Sequence, residues 1–342
     1  MNRYQFFYED GQGLKKLQLS YAGHVSDRIQ DLYYGKVAPE GIDLYFIPLQ
    51  PFEAFNRMLH GDFHCAEMSF STYVIRIAQG KLPFVAIPVF PARTFRHGAI
   101  YVNRHAGIFK PEHLAGRCVG VPEYQMTAAV WARGILQHEY SVKPADMKWV
   151  TGGLREAGRK PMIDLDFDGI DIRYEQHKTL NDMLLSGEID ALIAPQVPPA
   201  LLAGHPDLDY LFPDYPEVER AYFRKTAIFP IMHVVVIQRE IYEQHPWAAV
   251  SLYRAFEQAK RNCMNNLAVE EPLPVSLPWL PNYAKSIREL MGDDYWPYGI
   301  EKNRGTIDAL CQYTWEQGLA ARKVGIEELF VQNIANLSQF KL

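Results

Sequence analysis

The chain has 342 residues, 48% of them hydrophobic and 22% charged, and a formal net charge of −5. That length and balance predict about two globular domains and exclude a fibrous or wholly disordered protein. The weak negative charge excludes recruitment to nucleic acid or an anionic membrane by a global basic field, so any anion must be bound locally.

The opening MNRYQFFYEDGQGLKK lacks the basic start, apolar core and small-residue cleavage site of a secretory signal. No stretch approaches the roughly 18 apolar residues of a membrane span. A cytoplasmic protein with neither a membrane nor a nucleic acid as partner is therefore expected. Cys65, Cys118, Cys263 and Cys311 are far apart and match no paired metal or redox spacing, so they read as inert thiols.

Residues 16–22 (KLQLSYA) alternate as a strand does, Gly23 and His24 punctuate, and 25–34 can form a helix. A strand over 42–49 and a helix over 52–59 ending at Gly61 follow, then a strand over 63–68 and a helix over 69–78. Strands alternating with helices in this way predict a parallel sheet with crossover helices. Residues 82–102 hold two strand-like runs separated by Pro91, Arg93, Arg96 and His97, which marks a crossing to a second lobe.

Residues 116–140 read as strand (118–121), loop and helix (from Thr127). Glu123, Tyr124, Gln125 and Met126 fall where free N–H groups converge at a helix start, a ready anion site. A strand over 147–150 leads into Gly152-Gly153, a turn that would let backbone approach a ligand. An internal echo supports a second lobe on the plan of the first. Gly41-Ile42-Asp43-Leu44-Tyr45-Phe46 recurs as Gly169-Ile170-Asp171-Ile172-Arg173-Tyr174, and the NRMLHGDF at 56–63 recurs as NDMLLSGEI at 181–189. The strands at 63–68 and 189–194 match in turn. A return crossing lies at 229–233, before a strand over 234–238. Helices are expected over 247–262, 283–290, 303–321 and 326–336, packed back on the first lobe. Residues 1–97 and 239–342 would form that lobe and 98–238 the second, with a ligand cleft between them.

Two apparent motifs fail on their local context. Asp164-Leu165-Asp166-Phe167-Asp168-Gly169 with Glu175 fits a calcium-loop pattern, but Asp171 stands where that loop turns apolar and Pro161 spoils the entering helix. His60 and His64 are separated by Gly61 and Asp62, which break the helix that would align them on a metal. There is no nucleophile elbow and no phosphate-loop lysine. No metal is expected.

Other residues carry more. Arg93, Arg96 and His97 put three cation-forming groups at a predicted crossing, and guanidinium forks match carboxylates. His24 ends the first strand and His233 lies beside the return crossing, positions where ligands sit in open α/β sheets. Ser69, Ser71 and Thr72 open a helix, where capping is their commoner role and anion donation the other.

YAGHVSDRI, EMSFSTYV, FPARTFRHGAIYVN, LAGRCVGVPEYQMTAAVWARGIL, GEIDALIAP and FPIMHVVVI are similar to 4,5-dihydroxyphthalate decarboxylases. The two-lobed plan resembles the type II periplasmic binding protein fold, each lobe a mainly parallel sheet flanked by helices. The resemblance implies loss of one carboxylate as CO2 from a dihydroxylated aromatic dicarboxylate, giving protocatechuate, without an organic cofactor. Such chemistry needs an acid over the ring carbon, an acceptor for a phenol proton and a clamp for the retained carboxylate. His233 or His24 is the expected proton donor, with the other histidine or His97 taking the phenol proton. Arg96, Arg93 and the helix start at Gln125, Met126 and Thr127 would hold carboxylates, Tyr124 would meet the ring, and Ser69, Gly153 and Gln196 complete the expected binding set. The competing reading is a non-catalytic transport or sensor protein for a small aromatic carboxylate. Exposed apolar helix faces in the C-terminal third would permit a homo-oligomer.

Overall fold

The computed structural model describes residues 7–9, 15–80, 82–162, 170–269 and 271–335. The first lobe opens with β1 (Phe7–Glu9), β2 (Lys15–Gly23), α1 (Gln30–Tyr33), β3 (Ile42–Pro48), α2 (Pro51–Leu59), β4 (Cys65–Ser69), α3 (Phe70–Gln79) and β5 (Phe84–Ile87). The chain then builds a second sheet from β6 (Ile100–Asn103), β7 (Cys118–Val121), α4 (Thr127–Tyr140), β8 (Lys148–Thr151), β9 (Ile172–Tyr174), α5 (Leu180–Ser186), β10 (Ala191–Ile193), α6 (Pro199–Leu202), β11 (Leu208–Tyr210) and α7 (Tyr215–Thr226). It returns through β12 (His233–Gln238) and closes with α8 (Arg239–Gln244), α9 (Pro246–Leu267), α10 (Leu280–Met291), α11 (Arg304–Glu316), α12 (Ile326–Leu329) and α13 (Gln332–Ala335).

Strand order shows how the two sheets are related. The first runs β1-β2-β4-β12-β5 with β3 on the other side of β2, and the second runs β11-β6-β10-β7-β8-β9. In the first, β2 is parallel to β3 and β4, and β12 runs antiparallel between β4 and β5. In the second, β7 is parallel to β8 and β10, and β6 runs antiparallel between β10 and β11. Each mainly parallel sheet thus takes an antiparallel strand next to a crossing, β12 in the first and β6 in the second, and β1 adds a further antiparallel strand to the first; this is an α/β architecture of two lobes. By this order the counterpart of β3 is β8. The sequence echo instead aligns β3 with β9, an extra edge strand paired only to β8. The echo holds for the order strand, helix, strand (β3-α2-β4 and β9-α5-β10), and the added passage after β8 accounts for its misplaced strand.

The crossings pair with each other. Thr94 N donates to Pro230 O at 3.2 Å and Met232 N to Ala92 O at 2.8 Å, around a bridge between Arg93 and Ile231. The main core runs through both lobes, from Leu19, Ala66 and Val74 to Val119, Val121 and Trp131.

Three expectations change. The helix expected over 25–34 shrinks to α1, because residues 27–29 form a turn anchored by Ile29 N and Gln30 N on Ser26 O. The expected helix over 326–336 breaks at Phe330, whose φ of −125° and ψ of 153° are extended and let it bridge to Ala86. The C-terminal helices do not all return to the first lobe: α11 packs on both α3 and α4. Gly134 on α4 makes that approach possible, since a Cβ there would come 2.1 Å from Tyr313 Cδ2. The acidic run at 164–169 lies outside the described residues.

Candidate active site

Two helices start face to face across the lobes. Ser69 ends β4 and caps α3, accepting from Thr72 N at 3.5 Å, while Thr127 opens α4. Thr127 Oγ1 accepts from Ser71 N at 3.1 Å and lies 2.9 Å from Ser69 Oγ and 3.0 Å from Ser71 Oγ, which donates to Gln125 O at 2.6 Å. Met126, the residue before α4, provides no side-chain cap. First-turn N–H groups of both helices therefore favour negative charge at one place.

These helix starts border a cleft of about 460 Å³. Phe52 and Phe55 from α2, Leu154 and Met162 from the loop after β8, and Met126 and Met232 give it apolar walls. A few polar groups converge on this volume, the arrangement of a small-molecule site.

His233 opens β12 directly opposite Ser69 and lines the cleft. Its Nδ1 is buried and lies 3.3 Å from Oε2 of Glu67, whose side chain is only 3% exposed. The two lie within ion-pair distance but without hydrogen-bond alignment. The Phe55 ring meets the imidazole edge-on at 4.7 Å.

Arg96 is buried and lines the same volume. Its Nε and Nη2 point to Met232 Sδ at 3.2 and 2.6 Å, a weak acceptor for a charged donor. Burial lowers its pKa to about 10, opposed by Tyr101 and Glu219, so it stays cationic at neutral pH. Among the described residues no carboxylate lies within ion-pair distance of it. Glu123 is the reverse case: its buried carboxylate accepts from Arg159 Nε at 2.8 Å and Nη2 at 2.5 Å, and from Met162 N and Gln125 Nε2 at 3.0 Å each. The Arg159 guanidinium in turn lies 4.2 Å from the centre of the Phe52 ring, on the opposite lobe.

The cleft brings together His233, Arg96, Ser69, Gln125, Met126 and Thr127, with Gln196 exposed at its rim. It does not bring in the rest of the expected set. His24 is exposed at the end of β2, away from the lining. His97 is enclosed by Phe212 and Tyr222, each 5.2 Å away between ring centres, and by Tyr140; burial lowers its pKa to about 4, so it is a neutral core ring. Arg93 turns away from the cleft and ties the crossing to the C-terminal region, donating to Phe229 O at 3.0 Å, Pro297 O at 2.7 Å and Asn303 Oδ1. Tyr124 is buried beneath the Arg133 guanidinium, 3.6 Å from its ring centre. Gly153 serves a tight turn, where a Cβ would stand 1.6 Å from Glu156 O. His60 and His64 serve different neighbours, Asn56 O at 2.7 Å and Ser20 N at 2.9 Å.

Sequence reasoning missed Glu67 and Arg159. An acid inside the apolar strand CAEMS was the available signal for the first; nothing in GGLREAGRK singled out the second.

No family model matches the chain. It is 37% identical over 332 residues to a 4,5-dihydroxyphthalate decarboxylase of Comamonas testosteroni, spanning 96% of this chain and 100% of that one. The chain belongs to the 4,5-dihydroxyphthalate decarboxylase family. A protein of the same name from Pseudomonas putida is 41% identical over 204 residues, 59% of this chain and 79% of the relative. The fold is similar to the periplasmic aliphatic sulphonate binding protein SsuA of Escherichia coli, with a TM-score of 0.54 at 13% identity over 93% of this chain and 98% of that one. It is also similar to the alkanesulfonate-binding protein SsuA of Xanthomonas axonopodis pv. citri, with a TM-score of 0.52 at 10% identity, covering 92% and 98%. This member of the decarboxylase family therefore has the two-lobed fold of periplasmic binding proteins, with its cleft where the lobes meet. No helix among the described residues is long and apolar enough to cross a membrane.

Proposed function

We propose that the protein is a carboxy-lyase that converts 4,5-dihydroxyphthalate to protocatechuate and CO2, with His233 as the proton donor. The observation that carries the reading is one cleft holding a histidine, a buried guanidinium without a carboxylate partner among the described residues, and two facing helix starts. The names of the relatives supply the substrate. A hydroxyl para to the departing carboxylate pushes electrons toward the carbon that bears it. Protonation there forms a C–H bond, the C–C bond to the carboxylate breaks, and its electron pair restores the aromatic ring as CO2 leaves. One proton is consumed per turnover.

The two carboxylates need different treatment. An anion held more tightly in the ground state than in the transition state leaves slowly. Arg96 suits the retained carboxylate, which keeps its charge throughout. The departing one belongs near His233, against the edge of Phe55, where losing charge is favoured.

Incubation with 4,5-dihydroxyphthalate, following CO2 and protocatechuate, tests the reading. Release of both supports it. Tight binding with no CO2 would favour a transport or sensor protein, and absence of both would remove this substrate.

A further inference from the structure

The face of the first sheet beneath the cleft carries a buried polar row. Residues of β4 at positions 65, 67 and 69 share one face, and the register sets Tyr21 against Cys65, Val235 against Glu67 and His233 against Ser69. Glu67 therefore lies diagonal to His233 on that face, with Tyr21 on its other side. Among the described residues neither Tyr21 Oη nor Glu67 Oε2 has a hydrogen-bond partner. Burial and then the Glu67 charge push the Tyr21 phenol well above its ordinary range, so it remains a donor beside the carboxylate. Position 23 is glycine for want of space: a Cβ there would stand 2.7 Å from Tyr21 Oη and 3.0 Å from Glu67 Cγ.

A carboxylate buried between apolar residues is costly unless its charge is answered. Among the described residues, neither lysine nor arginine lies within ion-pair distance of Glu67, and His233 is the cation-forming group that does. We propose that Glu67 is a positioning residue for His233: its carboxylate, 3.3 Å from Nδ1, favours a proton on that nitrogen and leaves Nε2 to face the cleft and carry the proton that is transferred. The proposal rests on the decarboxylase reading for its consequence and on the 3.3 Å contact for its geometry.

In the reaction, the Nε2 proton of the His233 imidazolium moves to the ring carbon and forms the C–H bond. The bond to the departing carboxylate breaks, its electron pair enters the ring, and neutral CO2 leaves. His233 is left neutral with Nδ1–H still beside Glu67, and a proton from solvent restores the imidazolium. Glu67 itself never touches the substrate.

The test combines kinetics with a readout that needs no turnover. Glu67→Gln keeps the shape of the side chain and should lower kcat ten- to a hundredfold at nearly constant KM, with Glu67→Asp intermediate. Glu67→Gln combined with His233→Gln should be no slower than His233→Gln alone, because the glutamate acts through the imidazole. In ¹⁵N spectra of the parental protein at a pH where the ring is neutral, His233 should carry its proton on Nδ1. Parental rates in Glu67→Gln, multiplying effects in the double variant, or a proton on Nε2 in the neutral ring would each overturn the assignment. A parental protein that releases no CO2 would sink the decarboxylase reading instead, and the His233 spectrum would still decide for or against Glu67.

Discussion

The hydroxyls of Ser69 and Thr127 lie 2.9 Å apart, joining the starts of two helices that belong to different lobes. Thr127 Oγ1 also meets Ser71 N and Ser71 Oγ, so three contacts across the lobe boundary depend on one oxygen. Thr127→Val keeps the shape and removes that oxygen. Leaving Ser71 N unpaired should destabilise the fold by about 1–3 kcal/mol in urea unfolding. Affinity for the dicarboxylate should fall with it, whereas unchanged stability and affinity would show that the helix starts are not coupled here.

On the proposed function, Arg96 is held for a ligand at the expense of the free protein. It is buried against a thioether, with burial lowering its pKa to about 10. Arg96→Met removes a buried charge that lacks a carboxylate partner and should raise the melting temperature of the free protein. The same variant should weaken substrate binding about a hundredfold, on the order of 3 kcal/mol. Calorimetric melting and titration with substrate check the two halves separately.

His97 sets a pH dependence of stability. Its pKa falls from an ordinary value of 6.5 to about 4 because burial disfavours the charged ring. Between those values the unfolded chain binds more protons than the folded one, so acid favours unfolding. The contribution is fully present above about pH 6.5 and is lost as pH falls toward 4, on the order of 3 kcal/mol in total. His97→Phe should flatten the slope of unfolding free energy across that window and leave turnover at neutral pH nearly parental. A large loss of turnover in this variant would return His97 to the chemistry.

Gly134 is where α11 meets α4, and Tyr313 fills the space a methyl group would need. Gly134→Ala should cost about 1–3 kcal/mol through overpacking, despite the better helix propensity of alanine. Its recovery by Tyr313→Ala in the same chain would identify the clash as the cause.

The sequence made legible what depends on local pattern. The strand at 118–121 and the helix from Thr127 appear where their apolar spacing and Pro122 put them. The convergence of Ser69, Thr127, Arg96 and His233 was readable from their places at strand ends, helix starts and crossings. Orientation was not readable. Arg93 and Arg96 look alike in FPARTFRHG, yet one turns toward Asn303 and the other toward the cleft, a choice made by C-terminal packing more than 200 positions away in the case of Arg93. Glu67 was hidden for a related reason: the register of β4 against β12 sets it diagonal to His233, 166 positions away, and periodicity cannot show that.

On the proposed function, His233 delivers the proton that replaces CO2. The most direct measurement is turnover of 4,5-dihydroxyphthalate in D2O by the parental protein and by His233→Gln, with product deuteration and substrate affinity followed together. Protocatechuate should carry one ring deuterium where the carboxylate stood, and the variant should bind substrate but turn over about 10²–10⁴-fold more slowly. Turnover at the parental rate in His233→Gln, or binding by the parental protein without any CO2, would contradict that role for His233.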